Sequence, residues 1–188
     1  MKTTKGKTQE NRNSKKASGS EAMDTDLHEL FIDELADILN AEQQLIKALP
    51  KMAEAAEAAE LREAFQSHLE ETRQHAARLE QVFKSLDESV KSKTCKAMKG
   101  LLEEGSELME ELEDSSALDA GLIAAAQKVE HYEIASYGTV CAWAEQMGHE
   151  EALELLEKTL EEEKTADEKL TEIAMSVANQ EGEDKSSE

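Results

Sequence analysis

Residues 127–138 read QKVEHYEIASYG. Glu130, Glu133 and Tyr137 recur three and four apart, so on a helix they share a face with Ile123, Ala126, Ile134 and Cys141. That apolar line is what a helix buries, and two carboxylates are what it normally keeps in water. The fold turns on whether other segments bring matching groups to the same depth.

The rest of the chain is built for helices. Of 188 residues, 39% are hydrophobic but only 3% aromatic, so a core must be filled by Leu, Ile, Ala, Val and Met. One proline and eight glycines leave long stretches without breakers. The alternation of a half-buried strand is almost nowhere found, and the fold class is all-α.

Charge excludes several functions. The formal net charge is −22, while residues 1–22 carry six cations against Glu10 and Glu21, so the body beyond them holds −26. Such a body repels nucleic acid and anionic lipid. No apolar run approaches the roughly 20 residues that cross a bilayer, and the basic N-terminus lacks the apolar stretch of a signal peptide. Two cysteines, Cys95 and Cys141, make no disulfide framework and read as packing residues of a protein in a reducing compartment.

Along the chain, residues 1–22 read as a disordered basic tail, 23–178 as one helical domain and 179–188 as a polar end. Asp24-Thr25-Asp26 offers N-cap chemistry for a first helix striped by Leu27, Phe31, Leu35, Ile38, Leu45, Leu49 and Met52. Pro50 interrupts it, and a turn is expected near 57–60. A second helix, about 61–86, is striped by Leu61, Phe65, Leu69, Leu79 and Val82. After the polar DESVKSKTCK, a weaker helix spans about 96–113, with Gly100 and Gly105 inside it. DSSALD opens a helix over about 117–147 that Gly148 terminates, and the last runs to about 178. Two helix pairs joined by a longer connection carrying a short helix describe a four-helix bundle with one crossover, the ferritin-like arrangement.

Each long helix then brings an acid to its apolar stripe. On the first, Glu42 falls in the line Leu35, Ile38, Leu45, Leu49; on the fourth, Glu163 and Asp167 fall between Leu160 and Leu170. The second runs Leu61, Phe65, His68, Thr72, His75, Leu79, with Glu71 beside it and Glu70 pointing further away. An isolated carboxylate in an apolar interior costs several kcal/mol, and several together repel. Inward Lys or Arg is scarce, which leaves protons or metal cations to hold them. Oxygen-rich ligation with an occasional imidazole suits iron or manganese.

The di-iron bundle template takes one Glu from each of two helices and Glu-x-x-His from the other two. Glu42 fits the first role and Glu130 with Glu133 the second; Glu71 with His75 and Glu163 with Asp167 fit the pairs, although both pairs are spaced i, i+4 and one ends in Asp. The expected metal set is Glu42, Glu71, His75, Glu130, Glu133, Glu163 and Asp167, with no catalytic residue apart from it. His75 reads equally as a core or rim histidine. His68 is expected to hydrogen-bond a neighbour, and Tyr137 to donate to a ligand or simply to pack.

At these residues the chain resembles the YciE/YciF family of ferritin-like bacterial stress proteins. The resemblance covers about Leu27 to Ile173 and rests on NAEQQLIKALPKMA (40–53), FQSHLEETRQHAARLEQVF (65–83), CKAMKGLLEE (95–104), AAQKVEHYEIASYGT (125–139) and LLEKTLEEEKTADEKL (155–170) in that order. It implies a rubrerythrin-like bundle, a cytoplasmic location, a homodimer and a stress role with ferroxidase-like activity. Two iron ions per chain, with manganese as the other candidate, would then meet dioxygen or peroxide. No Cys-x-x-Cys pair is present, so rubrerythrin's iron–sulfur module is absent. The alternative is a non-catalytic dimeric stress protein acting through protein contacts.

Overall fold

A computed structural model describes residues 13–184, and side chains over 25–176. Five helices follow one another: α1 (Asn13–Ala55), α2 (Ala59–Ser85), α3 (Lys96–Glu111), α4 (Leu118–Met147) and α5 (Glu150–Asp184). Among the described residues there is no strand. The fold is the expected ferritin-like bundle: α1, α2, α4 and α5 are its four long rods.

Packing defines the topology. α1 lies against α2 and α4, and α5 against α4 and α2, so α2 and α4 face each other across the diagonal. One core cluster joins Leu45–Ala53 of α1 and Ala56 just beyond it, Leu61–Phe65 of α2, Leu118–Val129 of α4 and Leu170–Ile173 of α5. The other joins Phe31–Leu39, Leu79–Phe83, Tyr137–Ala144 and Ala152–Leu156. α2 and α4 therefore run parallel, and the connection between them must travel the length of the bundle. α3 fills that span, lying against α1 and α4.

Local chemistry sets the ends. Gly148 takes φ 74°, the left-handed conformation only glycine adopts cheaply. Its N–H reaches the Glu145 carbonyl at 3.1 Å and the His149 N–H reaches Ala144 at 2.9 Å, the paired bonds of a Schellman turn. The first turn falls at 56–58, slightly ahead of expectation, and a residue far along the chain holds it. Asp119 accepts from the Glu57 N–H at 2.9 Å and the Ala58 N–H at 2.7 Å. DSSALD thus closes a turn of the other helix pair; the N-cap of α4 is Ala117, without a side-chain bond.

Two further boundaries differ from the sequence reading. α1 begins at Asn13 instead of beside Asp24–Asp26, so residues 13–22 of the expected tail continue the helix, and residues 1–12 lie outside the described residues. α5 likewise continues to Asp184. Both cysteines are free and buried. Cys95 also caps α3, its Sγ accepting from the Met98 N–H at 3.3 Å. Gly121 permits the close approach of α4 to α3, since a Cβ there would lie 2.5 Å from Leu108 Cδ2.

Replacing Asp119 by Ala strips two backbone donors of their charged partner. The unfolding free energy should drop by about 2–3 kcal/mol, and Asp119→Asn should recover part of it, both read from urea denaturation.

Candidate metal centre

Between the two apolar clusters lies a layer of ionisable side chains. α1 supplies Glu42, α2 His68 and His75, α4 Glu130 and Glu133, and α5 Glu163; all six are buried. His68 and His75 are seven residues apart, two helical turns, and so project to one side of α2. Thr72 lies between them and bonds the carbonyl of His68 at 2.7 Å, spending its hydroxyl on its own helix.

The groups converge in two sets. Ligand atoms of His68, Glu130, Glu133 and Glu163 lie within 4.8 Å of one another, as do those of Glu42, His75 and Glu163. Glu163 belongs to both sets through different oxygens: Oε1 is 2.8 Å from His75 Nδ1, and Oε2 is 3.8 Å from His68 Nε2. His68 Nε2 is also 3.3 Å from Glu130 Oε1.

Hydrogen bonding leaves much of this layer unspent. Both oxygens of Glu133, and Oε2 of Glu42 and of Glu130, accept no hydrogen bond from any described residue. Native proteins rarely leave buried polar atoms in that state. Tyr137 donates to Glu42 Oε1 at 2.5 Å, and so the tyrosine both packs in the core and holds a carboxylate.

Electrostatics point the same way. Burial pushes Glu42 and Glu130 up to about 8 and Glu133 well above the carboxylate range, with Glu163 adding repulsion. Burial opposes charging His68, yet Glu130 and its neighbours outweigh it and raise the imidazole to about 10; Glu163 raises His75 likewise. Without metal the layer neutralises itself with protons, and a divalent cation can do the same work more fully. The orphaned oxygens and the oxygen-rich, two-imidazole donor set fit a metal ion.

Of the residues singled out from sequence, the structure gathers Glu42, His75, Glu130, Glu133 and Glu163, and it adds His68 as a full member of the cluster. Glu71 and Asp167 stand outside it. Glu71 is 43% exposed at the rim, 3.5 Å from His68 Nδ1. Asp167 is 21% exposed and faces His131 Nε2 at 3.4 Å. Both i, i+4 pairs therefore place one member in the layer and one at its edge. Glu70 pairs with Arg73 on the surface.

Three contributors escaped the sequence reading. Glu162 Oε2 lies 3.0 Å from His75 Nε2 and 2.7 Å from the Arg78 guanidinium, while Arg78 donates to Thr159 at 2.6 Å. With Nε2–H donating to Glu162, the other ring nitrogen of His75 is left to face Glu42 and Glu163. Glu162 stands in a run of three glutamates that reads as a solvated face. A signal for Arg78 existed: three residues after His75, it shares that inward side of α2.

No helix among the described residues is long and apolar enough to cross a membrane. Comparison with known proteins places the chain. Residues 26–183 match the family described as "Domain of unknown function (DUF892)". The chain is 48% identical to Protein YciF of Escherichia coli K12 over 160 residues, covering 85% of this chain and 96% of that protein. The crystal structure of that E. coli stress protein superposes with a TM-score of 0.79 at 49% identity, over 81% of this chain and 97% of the other. YcfI from Rhodopseudomonas palustris gives a TM-score of 0.75 at 47% identity, over 77% and 92%. With the bundle and its buried acidic layer in view, the chain belongs to the DUF892 family, as a relative of the stress protein YciF.

Proposed function

We propose that this protein holds two iron ions in the buried layer and brings them to react with dioxygen or a peroxide. The observation that carries the reading is Glu163, whose two oxygens turn toward two sets of buried ligand groups, most of whose facing atoms have no hydrogen-bond partner. One ion would be held by His68, Glu130, Glu133 and one oxygen of Glu163; the other by Glu42, His75 and the second oxygen. Manganese is the other candidate, because the donor set suits either. Two ferrous ions so placed would supply two electrons to a bound oxidant.

The chain's own residues prepare the site. The apolar clusters on either side exclude water, which strengthens every charge interaction in the layer. Glu162, held by Arg78, orients His75, and the Tyr137 hydroxyl fixes one oxygen of Glu42. The carboxylate oxygens without hydrogen-bond partners would be available to either ion.

Anaerobic titration with Fe(II) should saturate at about two ions per chain, and the Glu42→Ala/Glu130→Ala double variant should lose both. A wild-type protein that stays metal-free under those conditions overturns the reading. It would favour instead a non-catalytic dimer working through protein contacts, a role in keeping with the description of YcfI as a candidate structural protein.

The pH dependence of stability gives a separate check. Carboxyls raised from 4.5 to about 8 stabilise the metal-free fold below pH 4.5 and lose that contribution as pH rises through 8. His68, raised from 6.5 to about 10, acts in the same direction. Chelator-treated protein should therefore melt several degrees lower at pH 9 than at pH 6. Metal binding releases those protons, so added Mn(II) should raise the melting temperature more at pH 8 than at pH 6.

A further inference from the structure

Against the metal layer, between α2 and α5, lies a cavity of about 200 Å³. Its walls are apolar, with Leu45, Leu49, Met52, Phe65 and Leu170 facing inward. His68 and Glu130 form its inner end, both buried and both carrying atoms without a hydrogen-bond partner. Ser67, Glu71, Thr165 and Lys169 surround the mouth. Dioxygen or hydrogen peroxide needs no such space. An apolar cavity of roughly 150 Å³ accommodates benzene, so this one suits an apolar body of about six to nine carbons.

The head group follows from the inner end. In the metal-free layer a free carboxylate would add a fifth acid to Glu42, Glu130, Glu133 and Glu163, with only two imidazoles to offset them. A neutral head that both donates and accepts can meet the imidazole of His68 and the free oxygen of Glu130. We propose that the cavity binds a small alkyl or aryl hydroperoxide, its hydrocarbon part on the apolar walls and its peroxide group toward His68 and Glu130. The binding part stands on the cavity alone, whereas reduction of this substrate rests on the di-iron reading above. In that reduction the O–O bond would break, with one electron supplied from each of two bound ferrous ions and two protons from solvent completing an alcohol and a water molecule.

Binding is measured with 2-phenyl-2-propanol, the unreactive alcohol of cumene hydroperoxide, by saturation-transfer NMR and calorimetry on the full chain, metal-free and Mn(II)-loaded. Wild type should bind it saturably. Ala166→Phe, which fills the cavity from a half-buried position on α5, should weaken binding at least tenfold while Fe(II) uptake is unchanged. Ser67→Phe, plugging from α2, should do the same and guards against a folding defect in the first variant. In single turnover of anaerobic Fe(II)-loaded protein, both plugs should slow oxidation by cumene hydroperoxide at least tenfold and oxidation by hydrogen peroxide less than twofold. Absent alcohol binding, or equal binding in wild type and both plugged variants, overturns the proposal. Alcohol binding by a chain that takes up no iron upholds the ligand site and overturns both the reduction and the metal reading.

Discussion

Glu163 sits with no exposure to solvent, an imidazole beside each oxygen and three further buried carboxylates around it. No arrangement of apolar packing makes that grouping favourable. Its charges must be met by protons or by cations, because the clusters above and below deny them water. The rest of the bundle can be understood as what keeps this layer closed. Four helices must interrupt their apolar stripes at one level to bring their acids and histidines together, and each resumes its stripe on either side.

The connections hold that register from a distance. α1 and α2 turn on Asp119, a residue of α4, which ties the two helix pairs at one end of the bundle. Gly148 makes the equivalent turn between α4 and α5 at the other. Along the side, Asn40 and Gln44 flank Glu42 on α1 and bond the backbone of Cys95, fixing where the crossover segment enters α3. The helix that delivers Glu42 is thereby held from α2, α3 and α4 together. Sites carried on rigid, mutually braced elements keep their geometry better than sites on loops.

The layer also explains the division of labour among its histidines. His75 is anchored on its outer side by Glu162 and Arg78, which leaves one nitrogen for the interior. His68 has Glu71 near one nitrogen and Glu130 near the other, and it borders the cavity as well as the cluster. One imidazole is set in place; the other connects the buried layer to a space large enough for an organic molecule. Without a cation the neighbouring carboxylates favour the protonated form of both imidazoles.

The stripes of Leu, Ile and Val at steps of three and four determined the helices by themselves, since burial of one face is a local periodic property. Counting helices and comparing connection lengths was enough for the crossover. Glu42, Glu130, Glu133 and Glu163 were legible because each interrupts an otherwise apolar line on its own helix. Only the tertiary structure decided that His68 enters the cluster while Glu71 and Asp167 stay at its rim. A step of four residues turns a helix by about 40°, which near the edge of a buried stripe separates interior from surface. Glu162 and Arg78 act on side chains of the facing helix and Asp119 on the backbone of the α1–α2 turn, and no periodicity within one helix encodes those partners. Which acids meet in one cluster is a matter of how neighbouring rods are rotated and slid, and that is set by packing across the whole core.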